Sequence, residues 1–152
     1  MALDVNIRAY QDSDYPSVAS ILDQSKLVDP ERDNQECFAR KIKNDPGSIF
    51  VACNLESEIV GTVFTVSDGW AAFIFRLAVH PDYRGQIDRI SGKTIGVLLM
   101  ESAEARLRAQ GAKDVCITVH DEYATLKAWY QKQDYRPTGM FRFMWKILNK
   151  EN

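Results

Sequence analysis

RGQIDRISGKTIG, Arg84 to Gly96, is the stretch on which the reading of this chain turns. It carries three glycines and a Gly-Lys-Thr, and a mostly apolar run of helical spacing (Ile95, Leu98, Leu99, Ser102, Leu107) starts at its end. Main-chain N–H groups in a glycine-rich turn and at a helix N-terminus attract phosphate. A nucleotide P-loop needs G-x-x-x-x-G-K-[ST] right after a strand. With Gly92-Lys93-Thr94 in place, the first glycine of that motif would stand at position 87, which is Ile87, and Gly85 lies two residues too early. The strand pattern before the loop also ends near His80, and no apolar run ending in a magnesium-binding Asp comes later. A P-loop nucleotide enzyme is therefore a remote alternative. The surviving reading is a phosphate turn leading into a helix that begins near Gly92, with Arg84, Arg89 and Lys93 placed to add positive charge. The bland reading of the same residues is a solvated loop with a glycine at the helix start.

Working outward, three runs precede the loop: Ser48–Leu55, Glu58–Ser67 and Ala71–His80. They are rich in β-branched and aromatic residues with short polar links, which predicts adjacent hairpins. Before them, Asp4–Tyr10 alternates as a short strand. Asp12 or Ser13 caps a helix with Pro16 in its first turn and an apolar stripe of Val18, Ile21 and Leu22. Asp29–Lys43 reads as a more polar helix that Pro30 helps to start. After the loop, Gly111 stops the long helix. Asp114–His120 reads as a strand, Glu122–Gln133 as a helix and Thr138–Leu148 as a last, mostly buried strand. The order β-α-α-β-β-β-α-β-α-β predicts an α/β fold of the α+β type. Its single-layer mixed, mostly antiparallel twisted sheet would carry helices on both faces.

The 152 residues suit one domain, 1–152, with a proper core. A net charge of −2 offers no basic field for nucleic acid. No apolar run reaches the roughly 20 residues of a membrane span, and MALDVNIRAYQDSD is unlike a signal peptide. A reduced, cytoplasmic protein is the expectation. Cys37, Cys53 and Cys116 form neither a disulfide framework nor a zinc pattern, so no metal is expected. Cys53 and Cys116 read as buried strand residues. Met140, Phe141, Phe143, Met144 and Trp145 read as sheet packing. Arg76, inside an apolar strand, would face an acidic acceptor or make an internal ion pair.

Taken together the segments resemble the GNAT acetyltransferase family. The likeness begins at LAVHPDYRG, Leu77–Gly85, where the family has a strand, then a [QR]-x-x-G-x-[GA] turn and a helix. One register puts Ser91-Gly92-Lys93-Thr94-Ile95-Gly96 on that turn. Another takes the R-x-x-G half from Arg89-Ile90-Ser91-Gly92. Gln86-Ile87-Asp88-Arg89-Ile90 are extra relative to the family. The second block, LKAWYQKQDYRPTG (Leu126–Gly139), is similar to A-x-x-x-Y-x-K-x-G-F-x-x-x-G. Tyr130 falls on the tyrosine and Lys132 on the lysine, while Asp134-Tyr135 replaces Gly-Phe. Asp tolerates a left-handed turn better than most residues.

The resemblance implies a GNAT-like acyl-CoA N-acyltransferase fold with acetyl-CoA as the donor substrate. Its pantetheine arm would pair with the main chain of Leu77, Ala78 and Val79. Its pyrophosphate would sit on Arg84, Gly85, Arg89, Ser91, Gly92, Lys93, Thr94, Ile95 and Gly96, with Lys132 near the nucleotide end. An amine, on a small molecule or a peptide, would attack the thioester. Tyr130 would protonate the leaving thiolate, a phenol being protonated at neutral pH. His120 and Glu122 are the candidates for the base, with Asp121 and Asp68 behind them. A homodimer accords with the family. The alternative is a GNAT-fold module that binds CoA or an acyl-CoA without turnover.

Overall fold

The structure, a computed structural model, describes residues 3–148. The chain divides into two compact units, Met1–Ile117 and Thr118–Asn152. In the first, β1 (Asn6–Ala9), β2 (Ile49–Cys53), β3 (Ile59–Ser67) and β4 (Ala72–Val79) form an antiparallel sheet in sequence order. The β3–β4 link turns on Asp68, whose Oδ1 accepts the N–H groups of Trp70 and Ala71 at 2.9 Å. Asp68 is thus a turn residue.

Strand alternation gives the sheet two apolar faces. On one, Ile49, Val51, Cys53 and Phe64 pack with Val18, Ile21 and Leu22 of α1 (Tyr15–Gln24) and Phe38 of α2 (Gln35–Asn44). The Phe38 ring meets Tyr10, Tyr15 and Phe64 edge-on at 5.1–5.8 Å. On the other, α3 (Ile95–Ala109) buries Ile95, Leu99, Met100, Ala103 and Leu107. Gly61 makes that approach possible: a Cβ there would lie 2.9 Å from Leu99 Cδ1 and 3.1 Å from Ile95 Cγ2. Helices on both faces of a mostly antiparallel sheet are the arrangement that the element order predicted.

Four expectations change. The polar second helix begins at Gln35, not at Pro30. Asp33 Oδ2 takes the Asp29 N–H at 2.7 Å and folds 29–33 into a turn, and Asn34 then caps Cys37 N at 2.9 Å. Asp114–His120 supplies one parallel bridge, Cys116 to Phe73, rather than a strand, and Cys116 is exposed instead of buried. Thr138–Leu148 forms no strand, and Met140, Phe141, Phe143, Met144 and Trp145 are all at least 73% exposed. A strand exists only where partners take up its N–H and C=O groups, whatever its composition. The helix of the second unit, α4, spans Ala124–Gln131, shorter than Glu122–Gln133. Among the described residues, no helix is long and apolar enough to cross a membrane.

Candidate functional site

The site of the first unit starts at a fault in β4. Thr62 pairs with Ala78 and Phe64 with Phe75, so Val63 faces two residues, Arg76 and Leu77. This is a β-bulge, which bends the strand and re-aims the residues beyond it. Its first residue, Arg76, has φ +54°, a left-handed conformation usual for glycine. Arg76 Nε donates to both carboxylate oxygens of Asp33 at 3.0 and 3.2 Å, and the Asp33 side chain is only 3% exposed. Of the two readings of Arg76, the internal ion pair is the one present.

Beyond the bulge, Ala78 and Val79 pair with Thr62 and Gly61 of β3. β4 ends the sheet order, and on its outer side the start of the strand is bonded to main chain, Ile74 N–H to Cys116 O at 3.1 Å and Cys116 N–H to Ala72 O at 2.9 Å, while at the far end Val79 O takes the Arg84 side chain at 3.0 Å. From Phe75 to Val79 no strand pairs with that edge among the described residues. An open strand edge next to a bulge is a template for a ligand bearing amides.

The loop after β4 folds as a single 3-10 turn, Pro81–Tyr83, and then as a compact hairpin closed by an Ile87–Thr94 bridge. Gly85 and Gly92 take φ +76° and +71°, with open space where a Cβ would be. Arg84, Gly85, Gln86, Ile87, Asp88, Arg89 and Gly92 line an open surface depression of about 580 Å³. α3 begins directly behind it, with Thr94 in the N-cap position and making no side-chain cap bond. The first-turn N–H groups of a helix lack intrahelical partners and favour an anion. The helix thus starts at Ile95 rather than near Gly92.

The loop cations are engaged. Arg84 Nε donates to Val79 O at 3.0 Å and its Nη2 to Ser25 Oγ at 3.2 Å. Arg89 forms a two-pronged pair with Asp4 at 2.6 and 3.0 Å. Lys93 Nζ bonds both oxygens of Glu101 at 2.7 and 2.9 Å. Asp88, 3% exposed, is the buried hub of the hairpin. Hydrogen bonds from Ser91 and Val5 hold its carboxyl below the usual range.

The second unit carries the other sequence candidates. Tyr130 sits in the last turn of α4, its ring 4.9 Å from Trp129 and 5.7 Å from Tyr135. Burial pushes its phenol up to about 12. Lys132 is the exposed C-cap of the same helix. Asp134 has φ +67°, the left-handed turn that its place in the sequence implied. His120 and Glu122 are both exposed, and His120 Nδ1 accepts the Glu122 N–H at 3.3 Å. Among the described residues no cluster of His, Cys, Asp and Glu could hold a metal ion.

Sequence reasoning missed Asp33, Gly61 and Asp88. A glycine inside an otherwise β-branched strand signals a close approach, so Gly61 had a local mark. Asp33 and Asp88 had none.

The chain matches the family model for the acetyltransferase (GNAT) family over residues 15–135. An acetyltransferase of Pectobacterium atrosepticum is 28% identical over 131 residues, covering 86% of this chain and 87% of the relative. A solved acetyltransferase from Streptococcus agalactiae superposes with a TM-score of 0.73 at 15% identity, covering 96% of this chain and 93% of that one. The PaiA N-acetyltransferase of Thermoplasma acidophilum, solved in complex with coenzyme A, gives 0.68 at 17% identity, covering 86% and 88%. At these identities the two structures establish the fold.

Proposed function

The chain belongs to the GNAT acetyltransferase family, and from that premise we propose that it moves the acetyl group of acetyl-CoA onto a primary amine in a ternary complex. The observation that carries this reading is the bulged edge of β4 running into the open, glycine-bearing depression of the hairpin that precedes α3. A ligand with two amides and a pyrophosphate needs that sequence of surfaces: strand-like main chain first, then oriented N–H groups. The family match runs from 15 to 135 across both compact units, which supports treating the whole chain as one catalytic domain.

In the proposed reaction the amine nitrogen attacks the thioester carbonyl carbon. An N–H of the Leu77–Val79 segment stabilises the oxyanion that forms. The C–S bond then breaks and the CoA sulfur takes its proton from the Tyr130 hydroxyl. A phenol held near 12 stays protonated throughout the neutral range and is available as the acid. The ammonium proton leaves to Glu122 or to water. His120 serves this step less well, because its Nδ1 is already engaged by the Glu122 N–H.

Calorimetric titration with CoA, acetyl-CoA and Mg-ATP, and then thiol release with a panel of primary amines, tests the proposal. Both CoA compounds bind and Mg-ATP does not. Tyr130→Phe lowers kcat by about 10²–10⁴-fold while CoA affinity holds. Binding of Mg-ATP alone would refute the reading. CoA binding with no turnover on any amine would replace it with the non-catalytic module.

A further inference from the structure

The hairpin of residues 84–94 has no hydrophobic anchor at its tip. Ile87 and Ile90, its two large apolar side chains, are 48% and 84% exposed. A longer loop loses more conformational freedom on ordering, so something polar must hold this one in shape.

That something comes from residues 3–5, with Val5 83 positions from Asp88 in the sequence. Leu3 makes a parallel bridge with Asp88. Leu3 N–H donates to Ile87 O at 3.4 Å, and Arg89 N–H returns a bond to Leu3 O at 2.7 Å. Asp4 takes the two-pronged pair from Arg89. Val5 N–H donates to Asp88 Oδ1 at 3.0 Å. Asp88 Oδ2 accepts the Ser91 N–H at 2.7 Å. Within the hairpin, Asp88 N–H reaches Lys93 O and Gly92 N–H reaches Asp88 O, both at 2.8 Å. Both carboxylate oxygens and both main-chain groups of Asp88 are therefore committed, one oxygen outward to the N-terminal segment and the rest inward to the turn.

We propose that Leu3–Val5 and Asp88 form a clamp that holds the hairpin in its phosphate-binding shape, with Asp88 the positioning residue for the donor's pyrophosphate. The inference rests on the acetyl-CoA reading. The clamp works by pre-organisation: a hairpin already fixed by Asp88 orders no main chain when a phosphate arrives, whereas a released hairpin must order on binding and loses affinity. Asp88→Asn is close to isosteric, but one carboxylate oxygen becomes an NH₂ group, which faces the N–H of Val5 or Ser91 and cannot accept it.

The test uses Asp88→Asn and a truncation lacking residues 1–4, each titrated with CoA and with pantetheine. Pantetheine keeps the thiol and amides but has no phosphate. CoA affinity falls about tenfold or more in both variants, the size expected when ordering costs move onto the binding step. Pantetheine affinity stays close to wild type, and the thermal midpoint without ligand falls only by the few degrees expected from a lost buried hydrogen bond. Unchanged CoA affinity in both variants overturns the clamp. So does an equal loss for pantetheine, which would mark general damage to the sheet. Amide exchange across Gly85–Lys93 is read on the same samples without ligand. It accelerates in both variants if the clamp is real, and unchanged exchange overturns it. Wild-type protein that binds neither compound would sink the donor reading, and the exchange result would still judge the clamp.

Discussion

Arg76 occupies a backbone conformation suited to glycine, and its side chain pairs with a carboxylate that is 3% exposed. Two substitutions separate these roles. Arg76→Ala removes the guanidinium and leaves the strain. Breaking a buried pair from one side costs about 3–5 kcal/mol when the remaining charge is fully stranded. Here Asp33 keeps the Asp29 N–H at 2.7 Å, and the Arg76 side chain is 22% exposed. The cost should therefore fall to about 2–3 kcal/mol. Arg76→Gly loses the same pair but relieves the left-handed strain, worth about 1–2 kcal/mol and partly offset by glycine's added freedom in the unfolded chain. The glycine variant should thus be about 1 kcal/mol more stable than the alanine variant while both lie below wild type. Urea unfolding at neutral pH measures this, with equal slopes required for the comparison. A glycine variant no more stable than the alanine variant would show that residue 76 is not left-handed. An alanine cost below about 0.5 kcal/mol would show that the ion pair does not hold the bulge.

Gly61→Ala tests the approach of α3 to the sheet. Leu99 Cδ1 can swing away from a new Cβ, but the Ala78 carbonyl 3.2 Å off and Ile95 in the first turn of α3 have less room. Overpacking of this kind costs about 1–3 kcal/mol. CoA affinity falls with it, because the displaced end of α3 follows directly on the hairpin of residues 84–94; a variant melting and binding like wild type would refute the contact. A third prediction concerns acid. The Arg8 guanidinium bonds Asp14 at 2.7 and 2.9 Å and holds its carboxyl below the usual range. A group depressed in the folded state stabilises above its unfolded pKa and loses that contribution as pH falls through the folded one. Asp14→Asn should cost about 1.5–3 kcal/mol at pH 7 and flatten the acid limb of stability below about pH 4, as tracked by urea midpoints. An unchanged acid limb would show that Asp14 is not a main source of it.

The parts of the fold readable in the sequence were those set by local pattern. β2, β3, β4 and α3 each carry their own apolar period, and each lies within a few residues of its expected place. Asp134 could be read as a left-handed turn because a short polar side chain stands where the family has glycine, and its φ is +67°. The devices that shape the candidate site escaped because they are polar pairs between distant segments. Arg76 and Asp33 are 43 residues apart, and Asp88 and Val5 are 83 apart. Arg76 was marked by its place in an apolar strand, but nothing at that position names Asp33 as its partner. Asp33 and Asp88 look like ordinary surface charges until the fold brings Arg76 and the Val5 N–H to them.

Thr138–Leu148 fails to read for the opposite reason. Its pattern is strong: Phe141, Phe143, Trp145 and Ile147 share one parity, while Arg142 and Lys146 punctuate the other. With Met140, Met144 and Leu148 also on that second parity, the run reads as a mostly buried strand. Yet Phe141 and Phe143 are each 80% exposed and the segment is in no sheet. Alternation states which side chains a segment would bury if it had a partner; it contains nothing that names the partner. In Ile49–Cys53 the partner is supplied by the hairpin with β3, through a link short enough to fix the register. Thr138–Leu148 has no such link to a neighbouring strand within the described residues. Periodicity is thus a sufficient guide where chain connectivity enforces the pairing, and only a statement of preference where it does not.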